Sequence, residues 1–348
     1  MRNNNANTSG HWQLVCTQLI RPYLYERDTQ FTSSDRDLNT ILERINQDLT
    51  DLGSLKERFQ TLQQEMLSNV DRTNPIPDTQ FEQDFRSLTA AIKTVSRTVP
   101  PQSLDRICTD FDNFTLTRHV RKSYWSSRGR RRCFVEAAIW SILVDCVFQS
   151  PFGILGDRCT IFTNIWKQLF GLSHGLSWPH PSVACETWRW NTMEQLVSGA
   201  GRKTITLGDE DMESAETKGN TDLQNSVQQA RLKVYLRIEG ILKPLDPDFD
   251  TSRLWPIVNQ AFTLALDMFT QRCRLQTMAP DPDDLYIAGV SDHLESLQES
   301  EDVKFGRVAF TVNPGLSKWG DAHGKKLDER LFIVPSLVLL EEYMPKGP

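Results

Sequence analysis

Residues 133–149, CFVEAAIWSILVDCVFQ, are apolar on every side of a helical wheel. A helix of that kind has no face to give to water, so the rest of the chain must enclose it. The stretch Cys133 to Phe148 is 16 residues and carries Glu136 and Asp145, too short and too polar to cross a bilayer. At 348 residues the chain has room for one large domain or two ordinary ones, with a real core. Glu136 and Asp145 stand nine residues apart and face opposite sides of the helix, so they do not form one carboxylate pair. A buried carboxylate without a partner is costly. The expected partner is an arginine of the basic run just upstream.

The second constraint is an apolar seam. Leu38, Leu42, Ile45, Leu49, Leu52, Phe59, Met66 and Val70 follow a 4-3 spacing, with Lys56 and Gln63 in the two remaining slots. Ser34 or Asp35 can cap the start. Eight such side chains are worth roughly 12–24 kcal/mol when buried, at about 1.5–3 each, and almost nothing in water. A lone helix is marginal. The seam therefore needs a cover, from the chain's own helices or from a second chain, and Gly53, Lys56 and Gln63 favour a short or imperfect coil.

Further helices follow from their spacing. Phe81, Phe85, Leu88, Ile92 and Val95 predict a helix near 79–97, stopped by Pro100-Pro101. Ile161, Ile165, Trp166, Leu169 and Phe170 mark another, as do Trp188, Met193, Leu196 and Val197. Helices are also expected over 223–242 and 254–275, separated by Pro244 and Pro247. Towards the C-terminus, Gly306–Val312 and Leu331–Val334 suit strands, with a turn signal at Asn313-Pro314-Gly315. A looped antiparallel pair of these two is expected.

The fold predicted is mainly α: a helical bundle with a long N-terminal coiled-coil-like helix and a small C-terminal two-stranded β element. The organisation reads as 1–33, disordered or a short helix; 35–72, a long amphipathic helix; 78–280, a helical core with an acidic disordered loop at 208–222; 281–304, an acidic linker; and 305–343, a β element with a long loop.

Net charge is −6, but it is segregated. Arg118, Arg121, Lys122, Arg128, Arg130, Arg131 and Arg132 form a basic run with no acidic residue, while residues 281–302 hold eight acidic residues and no lysine or arginine. The run has three readings: a phosphate-backbone contact with Tyr124 and Trp125 for stacking, a nuclear-import signal, or a solvated face paired with the chain's own acidic segments. The acidic overall balance and the lack of a zinc-finger or RNA-recognition signature favour the last, so a nucleic-acid partner is disfavoured.

No catalytic, cofactor-binding or metal site is assigned. At Gly199–Thr204, Arg202 separates Gly201 from Lys203 and breaks the phosphate-loop pattern. His174, His180 and Cys185, with Cys159 more distant, have no compact zinc spacing. The seven cysteines are odd in number and scattered, which fits reduced thiols. The N-terminus has no apolar h-region, which argues against secretion. The most enzyme-like stretch is residues 313–330, where His323 neighbours Asp321, Lys325, Lys326, Asp328 and Glu329.

Three segments, RHVRKSYWSSRGRRRCFVEAAIWSILVDCVFQSPFGILG, IVNQAFTLALDMFTQRCRLQ and NPGLSKWGDAHGKKLDERLFIVPSLVLLE, resemble a family of uncharacterised proteins of filamentous ascomycete fungi. The resemblance implies a fungal, intracellular setting and brings no activity or functional residue. The expectation from sequence is thus an interaction or scaffold protein, cytoplasmic or nuclear, that meets a protein partner or its own copy through residues 35–70 and does not enter a membrane. The alternatives are a nucleic-acid-associated nuclear factor using residues 118–132, and an enzyme with its site in the 313–330 loop.

Overall fold

The computed structural model describes residues 75–100, 114–118, 120–171, 178–207 and 220–342, together with Gln47. The chain divides into two units, Met1–Thr73 and Asn74–Pro348; the architecture below is that of the second. The 35–70 seam lies outside the described residues.

The run that is apolar all round becomes α2 (Arg128–Leu143), continued by a π-helical turn at Val144–Phe148. Val135, Ala137, Ala138, Ile139, Trp140, Ile142 and Leu143 are all fully buried. Ser150-Pro151 ends the turn, since proline brings no amide to continue the ladder. Against α2 lies α1 (Asp78–Thr98), which buries Phe81, Phe85, Leu88, Ile92 and Val95 along one stripe, Phe85 stacking on Trp140 at 5.0 Å. Val99 is extended, as a residue before proline must be, and the helix stops there.

The remaining helices are α3 (Thr160–Phe170), α4 (Val183–Ala200), α5 (Arg202–Leu207), α6 (Thr221–Leu242) and α7 (Leu254–Phe269). The would-be phosphate loop is the α4–α5 corner, where Gly201 takes a positive φ of 85°. The helix expected over 254–275 ends at Phe269, and strand β1 (Arg274–Met278) follows almost at once.

The β structure corrects the expected fold. Seven strands among the described residues form two sheets, so the molecule is mixed α and β rather than a helical bundle with a two-stranded appendage. One sheet has the order β1-β5-β6, with β5 at Gly315–Trp319 and β6 at Arg330–Val334. The other has the order β2-β4-β7-β3, with β2 at Leu285–Ile287, β3 at Leu294–Ser296, β4 at Phe305–Asn313 and β7 at Ser336–Glu342. The two runs expected to pair, now β4 and β6, belong to different sheets. The acidic stretch 281–304 is no bare linker: it carries β2 and β3, which pair with β4 and β7.

Two prolines explain the split. Pro314 separates β4 from β5, and Pro335 separates β6 from β7; at each the chain leaves one sheet and enters the other. A residue without an amide cannot carry a ladder through, so each proline makes a corner. Glycine assists at the first. A Cβ on Gly315 would lie 2.7 Å from the Val334 carbonyl oxygen, so only glycine lets the corners nest.

Helices and sheets are joined at several places, among them the Lys318 ammonium of β5 on Asp78 of α1 at 2.7 Å. Trp125 packs at a tilt against Phe310 of β4 at 4.3 Å and edge-to-face against Phe134 of α2 at 4.7 Å. More demanding is a buried cluster of Glu186 and Arg189 from α4 with Arg274 from β1, whose side chains are 1–2% exposed. Arg189 Nε donates to Glu186 at 2.6 Å, and its two terminal nitrogens donate to the carbonyls of Phe269, Gln271 and Cys273. Arg274 closes the other side of Glu186, donates to the Pro179 carbonyl at 2.6 Å, and lies over Trp166 and Trp178. One carboxylate thus holds two arginines that fasten the end of α7 to the first strand.

Glu136 finds its partners on α1. It accepts the Ser96 hydroxyl at 3.2 Å and lies near Lys93 and Arg97, rather than pairing with the basic run. Asp145 accepts the hydroxyl of Thr115.

Candidate functional site

Helix α6 starts cleanly because the Asn220 side chain accepts the amides of Asp222 and Leu223. Its inner stripe, Val227, Val234, Ile238 and Ile241, enters the core. Beside it runs a polar stripe of Ser226, Gln229, Lys233 and Arg237, spaced as one helical face. This stripe forms one wall of a cavity of about 420 Å³. The other wall is the π-helical turn, through Asp145 and Cys146, followed by Gly153, Gly156, Asp157 and Thr160, the first residue of α3.

The walls approach closely because of glycine. Gly156 has φ 84° and ψ −175°, and a Cβ there would sit 2.4 Å from both the carbonyl oxygen and the hydroxyl of Ser226. A Cβ on Gly153 would meet the Cys146 carbonyl oxygen at 3.3 Å, a milder contact. The π turn widens the helix at this place and swings Asp145 and Cys146 toward α6, a distortion frequent at functional sites.

The cavity is lined by two exposed cations, Lys233 and Arg237, and by two carboxylates, Asp145 and Asp157. Arg237 Nη1 lies 2.8 Å from the Cys146 sulfur, and Arg237 has no carboxylate partner among the described residues. Burial pushes the Cys146 thiol up, against the pull of Arg237, so the sulfur meets the guanidinium as a neutral thiol. Lys233 pairs with Asp157 at 3.3 Å, both well exposed, which is a weak tie. Ser226 is only 4% exposed, yet its hydroxyl makes no hydrogen bond among the described residues. On the adjoining surface, beside Gln229, Lys233 and Arg237, Leu232 and Leu236 are 46% and 51% exposed. The guanidinium and ammonium of α6 offer donors to an anionic group, with apolar surface next to them.

The residues singled out from sequence fall elsewhere. Arg118 and Arg121 are exposed ahead of α2, and Arg128 to Arg132 make its first turn, where Ser127 caps the Arg130 amide. Arg130 pairs with Glu299 of the acidic stretch at 2.9 Å, and Arg131 Nε donates to the Trp125 carbonyl. The 313–330 segment is largely strand β5 and a tight turn. Asp321 accepts the amides of His323 and Lys325 at 2.9 Å each, which holds its carboxyl below the usual range, while Gly320 and Gly324 supply positive φ. His323 is exposed, and its ring makes no hydrogen bond among the described residues. Among the described residues His323 does not line the cavity beside α6.

Cys185 lies in the arginine cluster and accepts from Trp166 Nε1 at 3.1 Å, while His180 is exposed. Among the described residues no group of three or more His, Cys, Asp or Glu is placed to hold a metal ion, and no helix is long and apolar enough to cross a membrane.

No family model, curated protein or solved structure matches the chain. The resemblance to a fungal family thus gains no support, nor does the coiled-coil reading.

Proposed function

We propose that this chain is a non-enzymatic binding protein that takes a metabolite-sized organic anion into the α6 cavity. The observation that carries this reading is Arg237, a cation turned into the cavity with a thiol, not a carboxylate, for a neighbour. Arg237 is exposed and needs no counter-charge of its own, but its free N–H groups can give a bound carboxylate or phosphate charge-assisted hydrogen bonds. The unpartnered Ser226 hydroxyl adds a second donor, and about 420 Å³ falls within the roughly 300–1,000 Å³ of small-molecule sites.

The test is titration of the full chain with inorganic phosphate, succinate and adenosine monophosphate, followed by amide NMR. At least one should bind with a Kd below about 1 mM and move resonances of α6. Arg237→Gln should weaken that binding about tenfold, or about 1.4 kcal/mol. Binding by none of the three, or equal binding by the variant, would refute the proposal.

The seam at Leu38, Leu42, Ile45, Leu49, Leu52, Phe59, Met66 and Val70 supports a second part of this reading, association with a protein partner or a second copy. Light scattering should give a mass above that of one chain, reduced by Leu42→Asp with Leu49→Asp. A monomer whose mass the double variant leaves unchanged would count against self-association.

A further inference from the structure

A second cavity, of about 160 Å³, lies where the two sheets part, and it is independent of the α6 site. Its floor is one face of the β1-β5-β6 sheet. In the antiparallel register Trp319 faces Arg330 and Ser317 faces Phe332, so these four side chains share that face. Arg330 lies between two rings, 4.8 Å from the centre of Trp319 and 4.4 Å from that of Phe332. His293, from the β2–β3 connection, stacks on Phe332 at 5.1 Å and 27°, held there because its carbonyl accepts the Ser336 amide. The result is a row of four planar groups, of which Arg330, Phe332 and His293 line the cavity.

The arginine in that row is underused. Its Nη2 donates to the fully buried Ser317 hydroxyl at 3.1 Å, and its remaining N–H groups have no partner among the described residues. No carboxylate forms an ion pair with it there, and burial pulls its pKa below the usual guanidinium value. Its planar fork suits a carboxylate bidentately. The one acidic side chain lining the cavity, Asp284, already accepts the Asp281 amide at 2.9 Å. Size narrows the choice. Apolar cavities of about 150 Å³ hold a benzene ring, and this one is of that order, with aromatic walls.

We propose that this cavity binds a single-ring aryl carboxylate. The carboxylate lies on the free N–H groups of Arg330, and the ring lies against Phe332 and His293. An amino or hydroxyl substituent is favoured because Asp284 still has acceptor capacity for it.

Calorimetric titration of the full chain with 4-aminobenzoate, benzoate, cyclohexanecarboxylate and the methyl ester of 4-aminobenzoate tests this. The expected order is 4-aminobenzoate, with a Kd below about 1 mM, then benzoate. The saturated ring and the ester should each be at least tenfold weaker than 4-aminobenzoate, the first for lost stacking and the second for lost charge. Arg330→Gln should lose at least tenfold, with Arg330→Lys intermediate because it keeps the charge without the fork. No heat from 4-aminobenzoate up to 10 mM would overturn the proposal, as would an ester that binds as well as the acid. The ester comparison uses the unaltered chain, so it decides even where a variant fails to fold. Loss of binding in Arg237→Gln instead would place the ligand in the α6 cavity and also refute this site.

Discussion

Replacing Glu186 by alanine should lower the stability of the folded chain by about 3–5 kcal/mol, the range for removing one partner from a buried ion pair. Two guanidiniums, each about 1% exposed, would be left facing each other across an empty space. Neither can leave. Arg189 is tied to three carbonyls at the end of α7, and Arg274 lies against Trp166 and Trp178 while bonded to the Pro179 carbonyl. Apolar replacement of all three residues would not restore stability here, because those four carbonyls would lose their donors. Urea unfolding followed by circular dichroism measures the loss. Glu82→Ala makes the control, since Glu82 belongs to an exposed pair with Arg86, worth about 0.3–0.5 kcal/mol.

The same cluster sets a direction with pH. Burial pushes the Glu186 carboxyl up, but Arg189 and Arg274 together overcome it and hold the group below the usual carboxylate range. The folded chain therefore takes up this proton less readily than the unfolded chain. Its contribution is complete at neutral pH and fades as pH falls from the ordinary carboxylate value toward the lowered one. Glu136 works the other way. Burial raises its carboxyl despite Lys93 and the Ser96 hydroxyl, so its ionisation subtracts stability as pH rises past the ordinary value. An acid unfolding limb that flattens in Glu186→Ala is the expected signature; a limb identical to that of the parent would mean that Glu186 is not what acid attacks.

Local period made the helices legible and left the sheets obscure. The stripe of α1 repeats every third or fourth residue, and α2 has no polar face, so both can be read from neighbours in the chain. Strand pairing has no such local record. Arg274 pairs with Trp319 and Leu285 with Arg307, while β2 and β3 are three residues each, too short to show alternation. Pro314 and Pro335 stood in plain view, but the first reads equally well as a turn, and only the observed pairing shows that both are corners between sheets. The α6 site was hidden for a related reason. Ser226, Gln229, Lys233 and Arg237 look like an ordinary solvated face, and all but Ser226 stay exposed; only the π turn and Gly156 beside them make a cavity. Arg330 was one charge at the end of a polar loop until β5 and His293 were placed around it.

Gly156→Ala should cost roughly 2–6 kcal/mol, from two separable sources. The backbone at φ 84° and ψ −175° belongs to a region open essentially to glycine alone, with a strain of about 1–3 kcal/mol for any other residue. The added Cβ would then press into Ser226, 2.4 Å from its carbonyl and its hydroxyl, and forced overpacking adds about 1–3 kcal/mol. Gly171 separates the two sources. Its φ of 72° and ψ of 162° are similar, but a Cβ there meets nothing within 4 Å, so Gly171→Ala should show the strain alone. Ser226→Ala should not rescue Gly156→Ala, because the carbonyl, half of the obstruction, belongs to the backbone of α6. The difference between the two glycine variants in urea unfolding therefore measures how firmly the glycine loop is seated on α6. Were that difference zero, the cavity wall would yield without cost, and the fixed placing of Arg237 and Ser226 on which anion binding depends would lose its mechanical support.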